Sequence, residues 1–288
     1  MRARAFCPGH VTGFFEVKRS EDLLSSGSRG AGLCISLGAT TDIEAADSRK
    51  KTLEVHVNGE QRRAYTTVHT LNRLLGERDM EVVASTRLDL PESQGFGMSA
   101  AGALSAGFAL CDLLGIDAEC AFEAAHSAEI ECATGLGDVS SIRCGGLVIR
   151  EAAGLPPRGR TRRMEGCPEI VLAVIGSSLR TAGMIGDPDL IIRVNREGSW
   201  RVDELAREPS ISKLMMLSAS FALDTGLASR EVRYAMASAS SAGLASMAML
   251  GNSIFAIGST DELVSALSKH GRTYTCRVDT EGVRMVQK

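Results

Sequence analysis

At 288 residues and 44% hydrophobic content, the chain is long enough to bury a sizeable core, and two domains are the expected arrangement. A net charge of -3 supplies no global field for nucleic acid or an acidic membrane, so neither is expected as a partner. No stretch approaches the roughly 18 uninterrupted apolar residues of a membrane helix, and Met1-Arg2-Ala3-Arg4-Ala5-Phe6 lacks a signal-peptide apolar region, so a cytoplasmic location is expected. The eight cysteines are scattered without a Cys-x-x-Cys pair, a pattern of buried free thiols rather than of a zinc site.

Arg2 to Phe6 reads as a first strand running into Pro8-Gly9-His10, followed by Val11 to Val17. Pro8-Gly9 is either a turn into a second strand or a bend that brings His10 and the Phe14-Phe15 pair to a pocket edge. Gly27-Ser28-Arg29-Gly30-Ala31-Gly32 has the glycine density of a tight turn or hairpin, with Ser28 a turn residue or, in the sharper reading, a site residue. Thr52 to Val57 alternates as a strand, Asn58-Gly59 supplies a turn, Thr66 to Leu75 reads as a helix, and Glu81 to Leu88 as the next strand.

The run Leu90 to Ala103 then forms a strand-loop-helix junction. Gly95 and Gly97 let the backbone wrap closely, and a helix starting at Met98 or Ser99 aims free amides and its dipole at the loop. That geometry suits phosphate. Gly115-Ile116-Asp117 ends this helix, and Ala118 to Cys132 reads as another, with Asp117 as N-cap. His126 and Glu129 share one face of it, while Glu131 points elsewhere. The turn Thr134 to Ser141 carries Asp138, which local sequence alone assigns as a turn aspartate bonding its own backbone. Gly145 to Arg150 is a strand with Arg150 at its end, a position normally on the surface.

Leu155 to Arg163, with two prolines and four arginines, is the expected domain boundary and a solvated linker, dividing the chain into 1-160 and 161-288. Beyond it, Glu169 to Ile175 reads as a buried strand, followed by Gly176 to Thr181. Helices are expected at Ile211 to Leu223, Arg230 to Met249 and Thr260 to Lys269, the last capped by Thr260. Strands are expected at Asn252 to Ile257, Thr273 to Val278 and Val283 to Val286, which makes the class α+β.

Pro91-x-x-x-Gly95-Phe96-Gly97-Met98-Ser99-Ala100 resembles the nucleotide-binding signature of the GHMP kinases, which phosphorylate small-molecule hydroxyls. Pro8-Gly9-His10 matches the place of that superfamily's first motif, and Gly135-Leu136-Gly137-Asp138 its catalytic-aspartate segment. Within the superfamily, Pro8 to Phe15, Gly27 to Gly32 and Thr134 to Val139 together look like the archaeal pantoate kinase family. The resemblance implies a two-domain α+β GHMP kinase fold, with an N-terminal domain like the second domain of ribosomal protein S5 and a ferredoxin-like C-terminal domain. It implies a likeness in chemistry too: ATP and Mg²⁺ as cofactors, pantoate as small-molecule substrate, and a homodimer.

By the same resemblance, Pro91, Gly95, Phe96, Gly97, Met98, Ser99, Ala100 and Ala101 would bind the nucleotide. Ser99 and Glu129 would contact Mg²⁺, Asp138 would orient or deprotonate the attacking hydroxyl, and Ser28, His126, Arg150 and His10 would bind substrate. Two positions depart from the superfamily pattern. His10 stands where a basic residue commonly follows Pro-Gly, and the nearest match to the glycine-rich third motif, Met249-Leu250-Gly251-Asn252-Ser253, has one glycine. Related readings are a kinase of the same fold for another hydroxy acid or alcohol, such as homoserine or mevalonate, and a non-catalytic nucleotide-binding protein.

Overall fold

The computed structural model describes residues 1-178 and 187-286. It opens with two long strands, β1 (Arg2–Lys18) and β2 (Gly27–Asp47), paired antiparallel along nearly their whole length. The expected turn at Pro8-Gly9 does not form: Pro8 sits at a bulge, where a missing N-H disturbs the ladder least, and β1 runs on. The glycines of 27-32 likewise lie inside β2 rather than in a hairpin turn. A Cβ on Gly30 would meet Phe14 O at 2.4 Å and Arg150 Nη2 at 2.7 Å, and one on Gly32 would meet His10 Nε2 at 2.8 Å. These glycines make room for side chains that lie across the sheet.

β3 (Thr52–Val57) and β4 (Glu60–Gln61) follow, joined through Asn58 and Gly59, both at positive φ as the turn requires. Helix α1 (Tyr65–Leu75) leads to β5 (Met80–Leu88), which lies antiparallel to the far half of β2 and parallel to β3. α2 (Met98–Leu114) and α3 (Glu119–Glu131) then pack with α1 over this sheet, the almost entirely small and apolar α2 being buried between neighbours. Asp117 Oδ1 accepts the Glu119 N-H at 2.9 Å, so it serves the start of α3 from one residue before the helical N-cap.

A short α4 (Asp138–Cys144) enters β6 (Leu147–Ala152), which pairs with the near half of β2 and with β7 (Arg160–Met164). The 155-163 segment is therefore not a solvated linker. Its arginines find partners: Arg158 pairs with Asp22, Arg160 and Arg162 pair with Glu151, and Arg163 Nε donates to Gly145 O at 2.9 Å.

β8 (Glu169–Val174) begins a second, four-stranded antiparallel sheet in the order β11-β8-β10-β9. Of the Gly176 to Thr181 stretch, residues 179-181 lie outside the described residues. Helix α5 (Pro188–Arg207), absent from the sequence-based expectations, starts at the Asp187 cap, whose Oδ1 accepts from Asp189 N at 3.0 Å and Leu190 N at 3.2 Å. Its interior Gly198 is dictated by packing, since a Cβ there would stand 2.0 Å from Phe15 O on β1.

α6 (Ile211–Asp224) and α7 (Arg230–Ala239) carry Ser caps, and α7 ends ten residues before the expected Met249. The remainder of that stretch is β9 (Gly243–Ala248), an edge strand paired with β10 (Ser253–Gly258). The alanine and serine content favoured helix, and the sheet edge overrides it. α8 (Thr260–Leu267), β11 (Arg272–Arg277) and β12 (Arg284–Met285) complete the chain, α8 starting after Ser259 rather than Thr260. β12 returns to the first sheet and pairs with β1, giving that sheet the path β12-β1-β2-β5-β3-β4 with β6 and β7 attached through β2.

One core joins Phe14, Phe15 and Phe221 to Leu172 and Ile254, and so links β1, α6 and the second sheet; another fills the space between α1, α2, β3 and β5. Among the described residues no helix is long and apolar enough to cross a membrane.

Candidate active site

A cleft of about 700 Å³ opens where β1, β2 and the α2 loop meet the loop before α4. On one side stands the turn into α2. Ser93, Gly95 and Gly97 have φ values of 59°, 75° and 68°, the left-handed region that makes glycine the natural choice at the last two. His10 N donates to Phe96 O at 3.1 Å, which fastens the loop to β1. No side chain caps α2, so its first-turn amides and the positive end of its dipole face the cleft. The single-glycine segment is part of this wall: Met249 and Leu250 line the cleft, Met249 N donates to Thr12 O at 3.0 Å, and Gly251 lies under Gln94.

Facing this turn is Asp138, the first residue of α4, about one-fifth exposed. Its Oδ1 lies 2.7 Å from Nδ1 of His10, whose side chain is fully buried. Burial pushes the imidazole below its ordinary pKa, with the Asp138 carboxylate opposing and the Arg150 charge adding to the fall. His10 is thus neutral, and the carboxylate opposite assigns the ring proton to Nδ1, which donates to Asp138. Nε2 is buried without a partner.

Behind Asp138 lie Arg150 and Glu129. Arg150, expected at a strand end on the surface, is 1% exposed within β6, held by Ser141 Oγ at 2.8 Å from Nη1 and Ser28 O at 3.4 Å from Nε. Burial lowers its pKa while Asp138 and Glu129 raise it. Glu129 is fully buried, and neither carboxylate oxygen has a hydrogen-bond partner. Burial, then the Asp138 charge, pushes its pKa well above the usual carboxylate range, with the Val139 amide and Arg150 opposing. Gly135 and Gly137 explain how these groups fit: a Cβ at 135 would stand 2.2 Å from Glu129 Oε1, and one at 137 would stand 2.6 Å from Arg150 Nε and Ser28 Oγ.

The family model described as GHMP kinases N terminal domain matches residues 62–146. Pantoate kinase of Methanospirillum hungatei is 33% identical over 98% of this chain and 95% of its own length, and that of Thermococcus kodakarensis is 33% identical over 92% and 91%. This chain belongs to the pantoate kinase family. A solved structure titled as a phosphotransferase related to the CoA biosynthesis pathway aligns at TM-score 0.90 and 28% identity, covering 99% of each chain. Homoserine kinase of Cytophaga hutchinsonii, at 15% identity over 99% of this chain and 97% of its own, with TM-score 0.69, shares the fold. The fold is that of the GHMP kinases.

In this pantoate kinase family member the residues expected from sequence divide into two groups. Ser28, Gly95, Phe96, Gly97, Met98, Ser99, Asp138 and Arg150 line the cleft. Pro91 is exposed at the outer end of the loop, and Ala100 and Ala101 are buried in the core beneath it. Glu129 and His10 lie just behind the lining, packed on Gly135 and on Asp138. His126 is fully buried, and its Nε2 lies 3.0 Å from the Ser26 carbonyl, so it supports the start of β2 two residues before Ser28. Sequence reasoning missed Thr66, Arg62, Arg63 and Tyr65, all on the cleft wall, and quoted Thr134 in a motif without giving it a role. The missed residues come from the segment that enters α1, where isolated hydroxyl and basic residues leave no spacing signal.

No group of three or more His, Cys, Asp or Glu stands ready to hold a metal ion among the described residues. A divalent cation bound here would therefore draw on few protein ligands. The donor set nevertheless fits Mg²⁺, since an unpartnered buried carboxylate and a hydroxyl at a helix N-terminus are hard oxygen ligands, and Mg²⁺ commonly takes its other ligands from phosphate and water.

Proposed function

We propose that this protein transfers the γ-phosphoryl group of ATP to the primary hydroxyl of pantoate, forming 4-phosphopantoate on the route to coenzyme A. The observation that carries the reading is the His10-Asp138 contact of 2.7 Å, which fixes a carboxylate across the cleft from the open N-terminus of α2. Asp138 accepts the hydroxyl proton as the new O-P bond forms and the bond to the ADP oxygen breaks. Neutral His10 holds the carboxylate in place by donating from Nδ1. The transition state is loose, so positioning and electrostatics matter more than a strong base.

Gly95 to Ser99 supplies backbone amides for the phosphate oxygens. Ser99 Oγ and the Glu129 carboxylate would hold Mg²⁺, which would neutralise charge on the phosphates. Arg150 faces the cleft from below and receives the substrate carboxylate in a forked contact. Phe15, which lines the cleft, meets the paired methyl groups, while Phe14 is wholly in the core.

A coupled ADP-release assay with pantoate, homoserine and mevalonate tests this. The expected outcome is a kcat/KM for pantoate at least about 100-fold above the others. Turnover of another alcohol without pantoate turnover would replace the substrate assignment, and nucleotide binding without any turnover would favour the non-catalytic reading.

A further inference from the structure

We infer that Thr66 is a positioning residue that points the lone pairs of Ser99 at the phosphate-metal site and ties Ser99 to the loop behind Glu129. The inference rests on the proposed roles of Ser99 and Glu129 and adds a residue that no motif contains. Thr66 lies in the first turn of α1, 3% exposed, with its side chain on the cleft wall. Ser99 Oγ donates to Thr66 Oγ1 at 3.0 Å, and Thr66 Oγ1 lies 3.0 Å from Thr134 Oγ1. Thr134 N in turn donates to the Glu129 carbonyl at 3.1 Å. Three hydroxyls from three separate segments thus form one chain, beginning at the first turn of α2 and ending where the chain leaves α3.

The direction of the first contact, from Ser99 to Thr66, carries the chemistry. A hydroxyl has one proton and two lone pairs, and a cation needs the lone pairs. Ser99 can present them only if its proton goes elsewhere, and Thr66 Oγ1 accepts it. Thr66 keeps its own proton and a second lone pair, and its 3.0 Å contact with Thr134 Oγ1, in which either hydroxyl can donate, holds it in place. Thr66 does not spend its side chain on capping α1, which has no side-chain cap, and its carbonyl is anchored by Thr70 Oγ1 at 2.8 Å. Replacing Oγ1 by a methyl of the same size leaves the Ser99 proton free to rotate into the cleft, against a cation.

The test is calorimetric binding of a non-hydrolysable ATP analogue to full-length protein, once with Mg²⁺ and once with EDTA. Thr66→Val is expected to weaken binding about tenfold with Mg²⁺ and to leave it unchanged with EDTA, whereas Thr66→Ser stays within about twofold of the parent. Undiminished Mg²⁺-dependent binding by T66V, or equal loss in EDTA, would overturn the inference. Should T66V not fold, Thr134→Val serves in its place. It leaves Thr66 Oγ1 without its second hydroxyl partner and is expected to weaken Mg²⁺-dependent binding about threefold; parent-like affinity there would also overturn the chain. Ser99→Ala separates the levels: if it abolishes the Mg²⁺ dependence while T66V does not, Thr66 alone is misassigned. If S99A retains the full dependence, the Ser99 metal role falls and the inference with it.

Discussion

Gly135→Ala is the sharpest probe of the site, because it changes one methyl group and aims it at one atom. The glycine has no left-handed φ, so alanine meets no backbone penalty there. The new Cβ would stand 2.2 Å from Glu129 Oε1, 2.7 Å from Cδ and 3.1 Å from Cγ. No well-aligned hydrogen bond holds either Glu129 oxygen, the Val139 amide alone lying near, so the carboxylate end yields rather than the loop. Reaching ordinary contact displaces it by about 1 Å, and misplacement of that size costs on the order of 100-fold in rate. The packing penalty is about 1–3 kcal/mol, or a few degrees in Tm. Steady-state kinetics with pantoate beside a thermal melt separates the two. A folded G135A protein whose kcat stays within about threefold of the parent would refute the placement of Glu129 at the reacting phosphates.

Asp138→Ala is expected to lower kcat by about 10²–10⁴-fold while calorimetry shows ATP-analogue affinity nearly intact; parallel loss of both would make Asp138 structural. Arg150→Lys should raise the pantoate KM about tenfold or more and leave that for ATP alone, since an ammonium cannot fork onto a carboxylate; unchanged pantoate kinetics would remove Arg150 from the substrate site. For His126, burial lowers the folded-state pKa, so its neutral form is favoured in the fold. The unfolded chain takes up a proton near pH 6.5, and stability present above that pH is lost as pH falls toward the folded value, with a slope of up to about 1.4 kcal/mol per pH unit. Glu129, pushed the other way, loses stability as pH rises above about 4.3. Comparing the parent with His126→Gln therefore isolates the histidine: the Tm advantage of the parent is expected to shrink between pH 8 and pH 5.5, and a constant difference would contradict it.

The glycine turn into α2 is legible because its features are local: two glycines and a helix start within five residues. The α+β class followed from element types in the same way. Asp138 and Arg150 looked like an ordinary turn residue and an ordinary surface residue, and only the family resemblance raised them. The burial of Arg150 comes from pairing across the sheet with Gly30, and the place of Asp138 from its contact with His10, 128 positions away; neither leaves a local trace. Glycines misled most. At 27-32 the sequence shows only glycine density, whereas the structure sets these glycines against neighbouring backbone carbonyls and, at Gly30 and Gly32, against Arg150 and His10 as well. α5 escaped notice despite its Asp-Pro start, since its polar composition and interior glycine hide a helix that β1 requires. The Ser99-Thr66-Thr134 chain joins residues as much as 68 positions apart, beyond any motif.

β1 has a consequence for engineering. This one strand carries His10 and Phe15, accepts β12 from the far end of the chain on one edge, and has α5 seated on its Phe15 carbonyl through Gly198. The chain is therefore not a pair of exchangeable modules. A graft that replaced everything after residue 160 would take β12 and most of β7 from the first sheet and remove the helix seated on β1, so substrate range in this scaffold is best altered by point changes along the cleft wall rather than by swapping halves.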